Sequence, residues 1–254
     1  MTEVRTYGPM VLQIHDSTES LGESAAALVR DAIVAAVAEH GDARVILATG
    51  NSQYPLMDAL DGVNIPWSKV TAFHMDEYVG IDADHPASFR RWMRERVEER
   101  FQPAAMHYID GNNDVEAEIA RYTALLTEDR IDLVCMGIGE NGHLAFNEPY
   151  AADFDTTDWV TEITLTPESR RQQVGEGHFA SYEDVPATAL SLTIPALLSS
   201  PIQVASVPEE RKAEAVFRTV TEPVGNQCPA TILRERGNAI VLVDPGSASR
   251  LPLA

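Results

Sequence analysis

Short apolar runs alternate with helix-length stretches along this chain, and that alternation restricts it to a small set of folds. Residues 11–14, 44–48, 70–73, 131–136, 202–207 and 239–243 read as strands, and several are apolar throughout, as in strands buried on both faces. Stretches of about 10 to 15 residues with helical patterning lie between most of them. The longest starts at Ser17, a good N-cap. It holds apolar residues at Leu21, Ala25, Leu28, Ala32 and Ala36, and Gly41 ends it. Further helices are predicted up to Leu60 and over 87–100, 114–126 and 210–220, with shorter strands near 106–109, 160–165 and 189–194. Strands joined by crossover helices imply an α/β fold with a mostly parallel sheet covered on both faces. In such a sheet the loops at the carboxyl ends of the strands converge on one crevice, so distant motifs can be pooled.

The chain has 254 residues, enough to bury one large core, and residues 1–254 are read as a single domain. Within it, 150–186 is polar and loop-rich, a lid-like insertion. The formal charge of −20 argues against a nucleic-acid partner and against anchoring to an anionic membrane. It leaves room for an anionic small molecule held by a few local donors. Two cysteines, Cys135 and Cys228, are too few for a disulfide framework and lack metal-ligand spacing. No apolar stretch reaches the ~18 residues of a membrane span, and the N-terminus lacks a signal-peptide core. A cytoplasmic protein is expected, and a homo-oligomer is compatible with the sequence.

Three strand ends carry candidate chemistry. After 44–48 comes TGNS, where Thr49, Gly50, Asn51 and Ser52 offer backbone N–H groups and hydroxyls to an anion, phosphate above all. Ser52 as a simple helix cap is the plainer alternative. After 70–73, Asp76 and Glu77 set carboxylates on a stiff support, where a general base could work; solvated turn acids are the alternative. His74 beside them is read as structural. After 131–136, Gly137, Gly139 and Gly142 punctuate a turn that carries Asn141, His143, Asn147 and Glu148. Those glycines allow tight turning and close approach to a ligand. An imidazole five residues from a carboxylate suits proton transfer near neutrality. Lys212, early in the helix after 202–207, could supply a point charge to a phosphate.

MDEY followed by HPASF, GIGENGHLAFNEP, and ERKAEAV followed by CPATIL together resemble the glucosamine-6-phosphate deaminase family, over nearly the whole chain. The resemblance implies a Rossmann-like three-layer sandwich that turns glucosamine 6-phosphate and water into fructose 6-phosphate and ammonia. It implies no metal and no organic cofactor. By position, Asp76 matches the base that moves a proton between C2 and C1, His143 the residue that assists ring opening, and Glu148 the carboxylate that orients it. Thr49, Gly50, Asn51, Ser52 and Lys212 fall where the family holds the substrate's phosphate.

Three departures stand out. The phosphate loop of well-known bacterial members reads TGGTP, whereas this chain has TGNSQYP. Position 141, often Asp, is Asn141, which shifts the stabilisation of an imidazolium toward Glu148. The segment ESRRQQVGEG sets no arginine at the family's later phosphate position, leaving Arg170 or Arg171 as stand-ins. The related 6-phosphogluconolactonases share the fold, but lactone hydrolysis needs an activated water rather than a C–H base. Galactosamine 6-phosphate as substrate, and a non-catalytic sugar-phosphate sensor, are the other readings.

Overall fold

The computed structural model describes residues 2–252. β1 (Glu3–Tyr7) and β2 (Met10–Ile14) form an antiparallel hairpin. They are followed by α1 (Thr18–His40), β3 (Ala43–Leu47), α2 (Tyr54–Leu60) and β4 (Val70–His74). Next come β5 (Asp76–Tyr78), α3 (Phe89–Met93) and α4 (Glu99–Phe101), then β6 (Ala105–His107), α5 (Val115–Thr127) and β7 (Leu133–Met136). The last third holds β8 (Val160–Thr164), α6 (Pro167–Gly175), β9 (Thr188–Leu192) and α7 (Ile194–Leu197). It closes with β10 (Gln203–Val207), α8 (Ala213–Thr221) and β11 (Ala239–Val243).

The large sheet runs β1-β2-β11-β10-β7-β3-β4-β6 and is parallel except for β1. From β3 the chain builds outward through β4 to β6, then returns to place β7 beside β3. From β7 it builds the other way through β10 and β11. The strand order therefore reverses between β3 and β7, and a crevice opens at their carboxyl ends.

The pleat divides the core. Val45, Leu47, Leu133, Cys135 and Leu242 face α1 and α2 through Leu21, Val29, Ile33, Leu56 and Leu60. Ile46, Val134, Met136, Val241 and Val243 face the other way, onto Tyr122, Leu126, Val216 and Val220 of α5 and α8. Alternate residues on one strand feed opposite layers, which makes the three-layer sandwich. α1 begins and ends as its sequence suggests: Ser20 N donates to Ser17 Oγ at 3.1 Å, and Gly41 closes the helix at φ 92°.

Two expectations are corrected. Residues 160–165 and 189–194 do not extend the parallel sheet. They form β8 and β9, which pair antiparallel with β5 in a separate sheet ordered β5-β9-β8. The segment 150–186 is also less loop-like than its composition suggests, since α6 lies within it beside the expected strand, β8. The N-terminal strand β1 had no counterpart in the sequence reading. A third apolar cluster, with Tyr78, Phe89, Phe146, Leu165 and Phe179, packs where the small sheet meets α6. No helix of the described residues is long and apolar enough to cross a membrane.

The layer of α1 and α2 leaves no room at Gly22, where an added Cβ would overlap the Pro55 carbonyl. Gly22→Ala is expected to cost about 1–3 kcal/mol in urea unfolding. Gly62→Ala, whose Cβ would sit 3.5 Å from the Ala59 carbonyl oxygen, is the near-neutral comparison.

Candidate active site

The crevice is lined by Thr49, Gly50, Asn51 and Ser52 after β3, by Met75 and Asp76 between the sheets, and by Gly137, Ile138, Gly139 and His143 after β7. Lys212 closes one end, and Gln172, Gln173, Glu176 and His178 from α6 and beyond cover it. Three strand-end motifs, remote in sequence, thus meet in one cavity.

Asp76 stands where the chain leaves the large sheet. β4 ends at His74, and Leu192 N donates to Met75 O at 2.8 Å as the chain joins β9. Asp76 then opens β5 opposite Ser191. Its carboxyl is buried, and Oδ1 has no hydrogen-bond partner. Burial, with a smaller contribution from the neighbouring Glu77 carboxylate, pushes the Asp76 pKa from 3.8 up to about 8. A buried carboxyl without donors, titrating near neutrality, is suited to taking and returning a proton.

Glu77 does not join the crevice, because alternation along β5 sends its side chain to the other side. There it accepts from Ser88 Oγ at 2.8 Å and from the backbone N–H groups of Tyr78 at 3.0 Å, Phe89 at 3.2 Å and Arg90 at 2.9 Å. Arg90 Nε lies 3.4 Å from the same carboxylate. Burial raises the Glu77 pKa, and these four donors oppose the rise. Glu77 anchors the start of α3 and, contrary to the expectation from sequence, does not line the crevice. His74 is likewise structural: buried and held well below its usual range by burial, it accepts from Ile109 N at 2.8 Å.

The turn after β7 presents His143 through close backbone approach. A Cβ at Gly139 would collide with the His143 ring at Nε2, so only glycine lets the imidazole lie across that strand end. On the other edge of the ring, Nδ1 is 3.8 Å from Glu148 Oε2 and 3.4 Å from Ser169 Oγ. A carboxylate facing Nδ1 favours the tautomer with the proton there, leaving Nε2 toward the crevice. Burial works to raise the Glu148 pKa, but His143, Ser169 and Asn141 outweigh it and hold it below the ordinary value. Asn141 does not line the crevice. Its Nδ2 donates to Glu148 Oε2 at 3.0 Å and its Oδ1 accepts from His143 N at 3.0 Å, which makes it a positioning residue. Asn147 braces the turn, with Nδ2 donating to Leu144 O and Leu192 O, both at 2.8 Å.

Gly137 lines the crevice, where a Cβ would stand 3.0 Å from Ser52 Oγ. Gly142 does not; at φ 89° it packs against Cys228 Sγ and serves the turn rather than a ligand. Ser52 caps no helix through its side chain, since the chain after Gly50 opens with a 3-10 turn that lacks a side-chain cap. Arg171 is also corrected: its side chain is two-thirds exposed and lies 3.5 Å from Glu168. Arg170 is no replacement, because its Nη2 donates to Tyr182 O at 2.8 Å and Val185 O at 2.7 Å.

Lys212, one of two lysines in the chain, is buried and lines the crevice. Burial lowers its pKa, and Glu176 opposes the shift. The lid-like reading of 150–186 covers 172–178, but sequence reasoning singled out none of Gln172, Gln173, Glu176 or His178. A polar helix without an apolar stripe suits covering a polar cavity rather than the core, and it does not say which of its side chains face inward. Among the described residues, no group of three or more His, Cys, Asp or Glu side chains could hold a metal ion.

A Rossmann-like sandwich thus gathers a buried carboxyl, a histidine–carboxylate pair and a buried cation in one crevice at the carboxyl ends of its strands. More particularly, residues 16–242 match the family of glucosamine-6-phosphate isomerases and 6-phosphogluconolactonases, and the chain belongs to that family. It is 32% identical to the glucosamine-6-phosphate deaminase of Streptococcus uberis, over 95% of this chain and 99% of the relative. It is 31% identical to the same-named protein of Lactobacillus delbrueckii subsp. bulgaricus, over 95% and 100%. The solved structure of a glucosamine-6-phosphate deaminase described as monomeric superposes with a TM-score of 0.85 at 30% identity, covering 94% of this chain and 99% of that one. A 6-phosphogluconolactonase from Shewanella baltica superposes at 0.75 with 20% identity over 92% and 96%, which shows a common fold.

The raised Asp76 pKa sets a pH dependence of stability. Below about 3.8 the carboxyl is protonated in both the folded and unfolded chain. Between 3.8 and about 8 the folded chain keeps a proton that the unfolded chain has lost, so this group's contribution to stability falls as pH rises. Asp76→Asn is therefore expected to be the more stable protein at pH 8, by on the order of a few kcal/mol. In urea unfolding between pH 4 and 9 the gap should widen up to about pH 8 and then level off.

Proposed function

We propose that this chain is an amino-sugar-phosphate deaminase and isomerase that converts glucosamine 6-phosphate and water into fructose 6-phosphate and ammonia. The observation that carries the reading is the buried, donor-free Asp76 carboxyl opening onto the same crevice as His143. Moving a proton between adjacent carbons requires a base that can take and return it, whereas lactone hydrolysis needs one only to activate a water.

In this reading the substrate's phosphate lies at the Lys212 end, against the donors of Thr49, Gly50, Asn51 and Ser52. His143 Nε2 takes the proton of the anomeric hydroxyl and returns one to the ring oxygen as the ring opens, with Glu148 steadying the imidazole through Nδ1. Asp76 then removes the proton from C2 and delivers one to C1. The electron pair of the C2–H bond moves through an enolamine, and the product of proton return is the C2 imine. Water adds to that imine and ammonia leaves. A carboxyl titrating near 8 is a stronger base than an ordinary one and can hold the proton between the two carbons. Gripping the phosphate fixes both reacting carbons relative to Asp76 and offsets the entropy of orienting an open chain. The segment 150–186 carries α6 over the crevice, and we read it as a lid that excludes water during proton transfer.

The test is turnover of glucosamine 6-phosphate, galactosamine 6-phosphate and 6-phosphogluconolactone, with ammonia, ketose phosphate and acid measured separately. Ammonia from glucosamine 6-phosphate is expected. Asp76→Asn should remove exchange of the C2 proton with deuterated solvent, with turnover falling by about 10²-fold or more. Absence of ammonia from glucosamine 6-phosphate, or exchange at the parental rate in Asp76→Asn, would overturn the reading.

A further inference from the structure

Glu176 presents an unexpected carboxylate at the cationic end of the crevice. Its Oε1 is 3.9 Å from Lys212 Nζ and 3.3 Å from Arg211 Nη1, and it accepts from Gln172 Nε2 at 2.8 Å. Its Oε2 is 3.3 Å from His178 Nε2. Burial works to raise its pKa, yet His178, Lys212, Arg211 and Gln172 together pull it down to about 2, so it is ionised at any working pH. An acidic group with four partners of this kind is a bound anion supplied by the chain itself.

Arg211 is not free to compensate. It also pairs with Glu209 at 2.9 Å and lies 3.8 Å from Glu140. Lys212 is therefore the principal cation facing the cavity there, and it already faces a carboxylate. A phosphate brought to the same ammonium would lie against Glu176, and two anions sharing one cation in a partly desolvated site repel strongly. Glu176 also has the means to leave. It follows α6 between Gly175 and Gly177, the latter at φ 81°, and two flanking glycines leave the backbone free to change conformation at little steric cost.

We propose that Glu176 is a specificity-determining residue that occupies the phosphate position and must be displaced by the substrate's phosphate. The inference rests on phosphate binding at the Lys212 end, as in the function proposed above. Its consequence is selectivity: a dianionic phosphate can outcompete the carboxylate for Lys212, whereas a singly charged or uncharged terminus cannot. Affinity for phosphate is given up in exchange for rejection of weaker anions.

Inorganic phosphate is the probe, titrated calorimetrically into the full chain at pH 8, because that measurement needs no turnover. Glu176→Gln, which keeps shape and removes charge, is expected to tighten phosphate binding about tenfold, the effect of one unit of charge-state preference. Glu176→Asp keeps the charge and should stay within about threefold of the parent. Lys212→Met should abolish phosphate binding in both the parental and Glu176→Gln proteins, with thermal unfolding used to verify that each is folded. Phosphate binding unchanged or weakened in Glu176→Gln would overturn the proposal, as would binding that survives Lys212→Met. If these results hold and no amino sugar phosphate is deaminated, the activity reading fails while the competition between Glu176 and phosphate stands.

Discussion

The burial of one carboxyl at the junction of two sheets governs the rest of this site. Asp76 is dry because the chain passes from β4 into β5 with one intervening residue, and β9 seals the passage by pairing with β5. A carboxyl there would ordinarily find donors, and its neighbour Glu77 finds four. Asp76 Oδ1 has none. Leaving a polar atom unpaired costs free energy, and the large apolar layers on both faces of the parallel sheet offset that cost. The fold stabilises itself elsewhere and keeps a destabilised group where proton transfer needs one.

The turn after β7 depends on the same economy of space. His143 can lie across the strand end because residue 139 has no side chain, and its orientation is fixed by a chain of contacts from Asn141 to Glu148 to Nδ1. With an amide at 141, the carboxylate supporting the imidazole is Glu148, whose own ionisation is held by those contacts. The two halves of the site thus use opposite electrostatics. One carboxyl is starved of donors and kept basic, while the other is supplied with them and kept charged.

Much of this was legible in the sequence. Apolar runs ended by TGNS, MDEY and GIGENGH marked three strand ends, and the parallel topology brings such ends together. Two adjacent acids read as one feature in the sequence, but strand alternation sends Asp76 and Glu77 to opposite faces. The small sheet was invisible because β5 has three residues and pairs with a strand more than a hundred positions away, a match that local pattern does not encode. Which side chains of 172–178 line the crevice is hidden for a related reason. α6 packs polar side chains over a polar cavity, so periodicity carries no signal there, and Gln173 is placed by the Tyr78 hydroxyl that donates to it at 2.6 Å.

The most direct measurement is the titration of the Asp76 carboxyl itself, followed by carbon NMR of aspartate-labelled protein and assigned by its loss in Asp76→Asn. The expected midpoint is near 8. A midpoint near the ordinary 3.8 would mean that Asp76 is solvated and paired in solution, and the case for a buried base would fall with it.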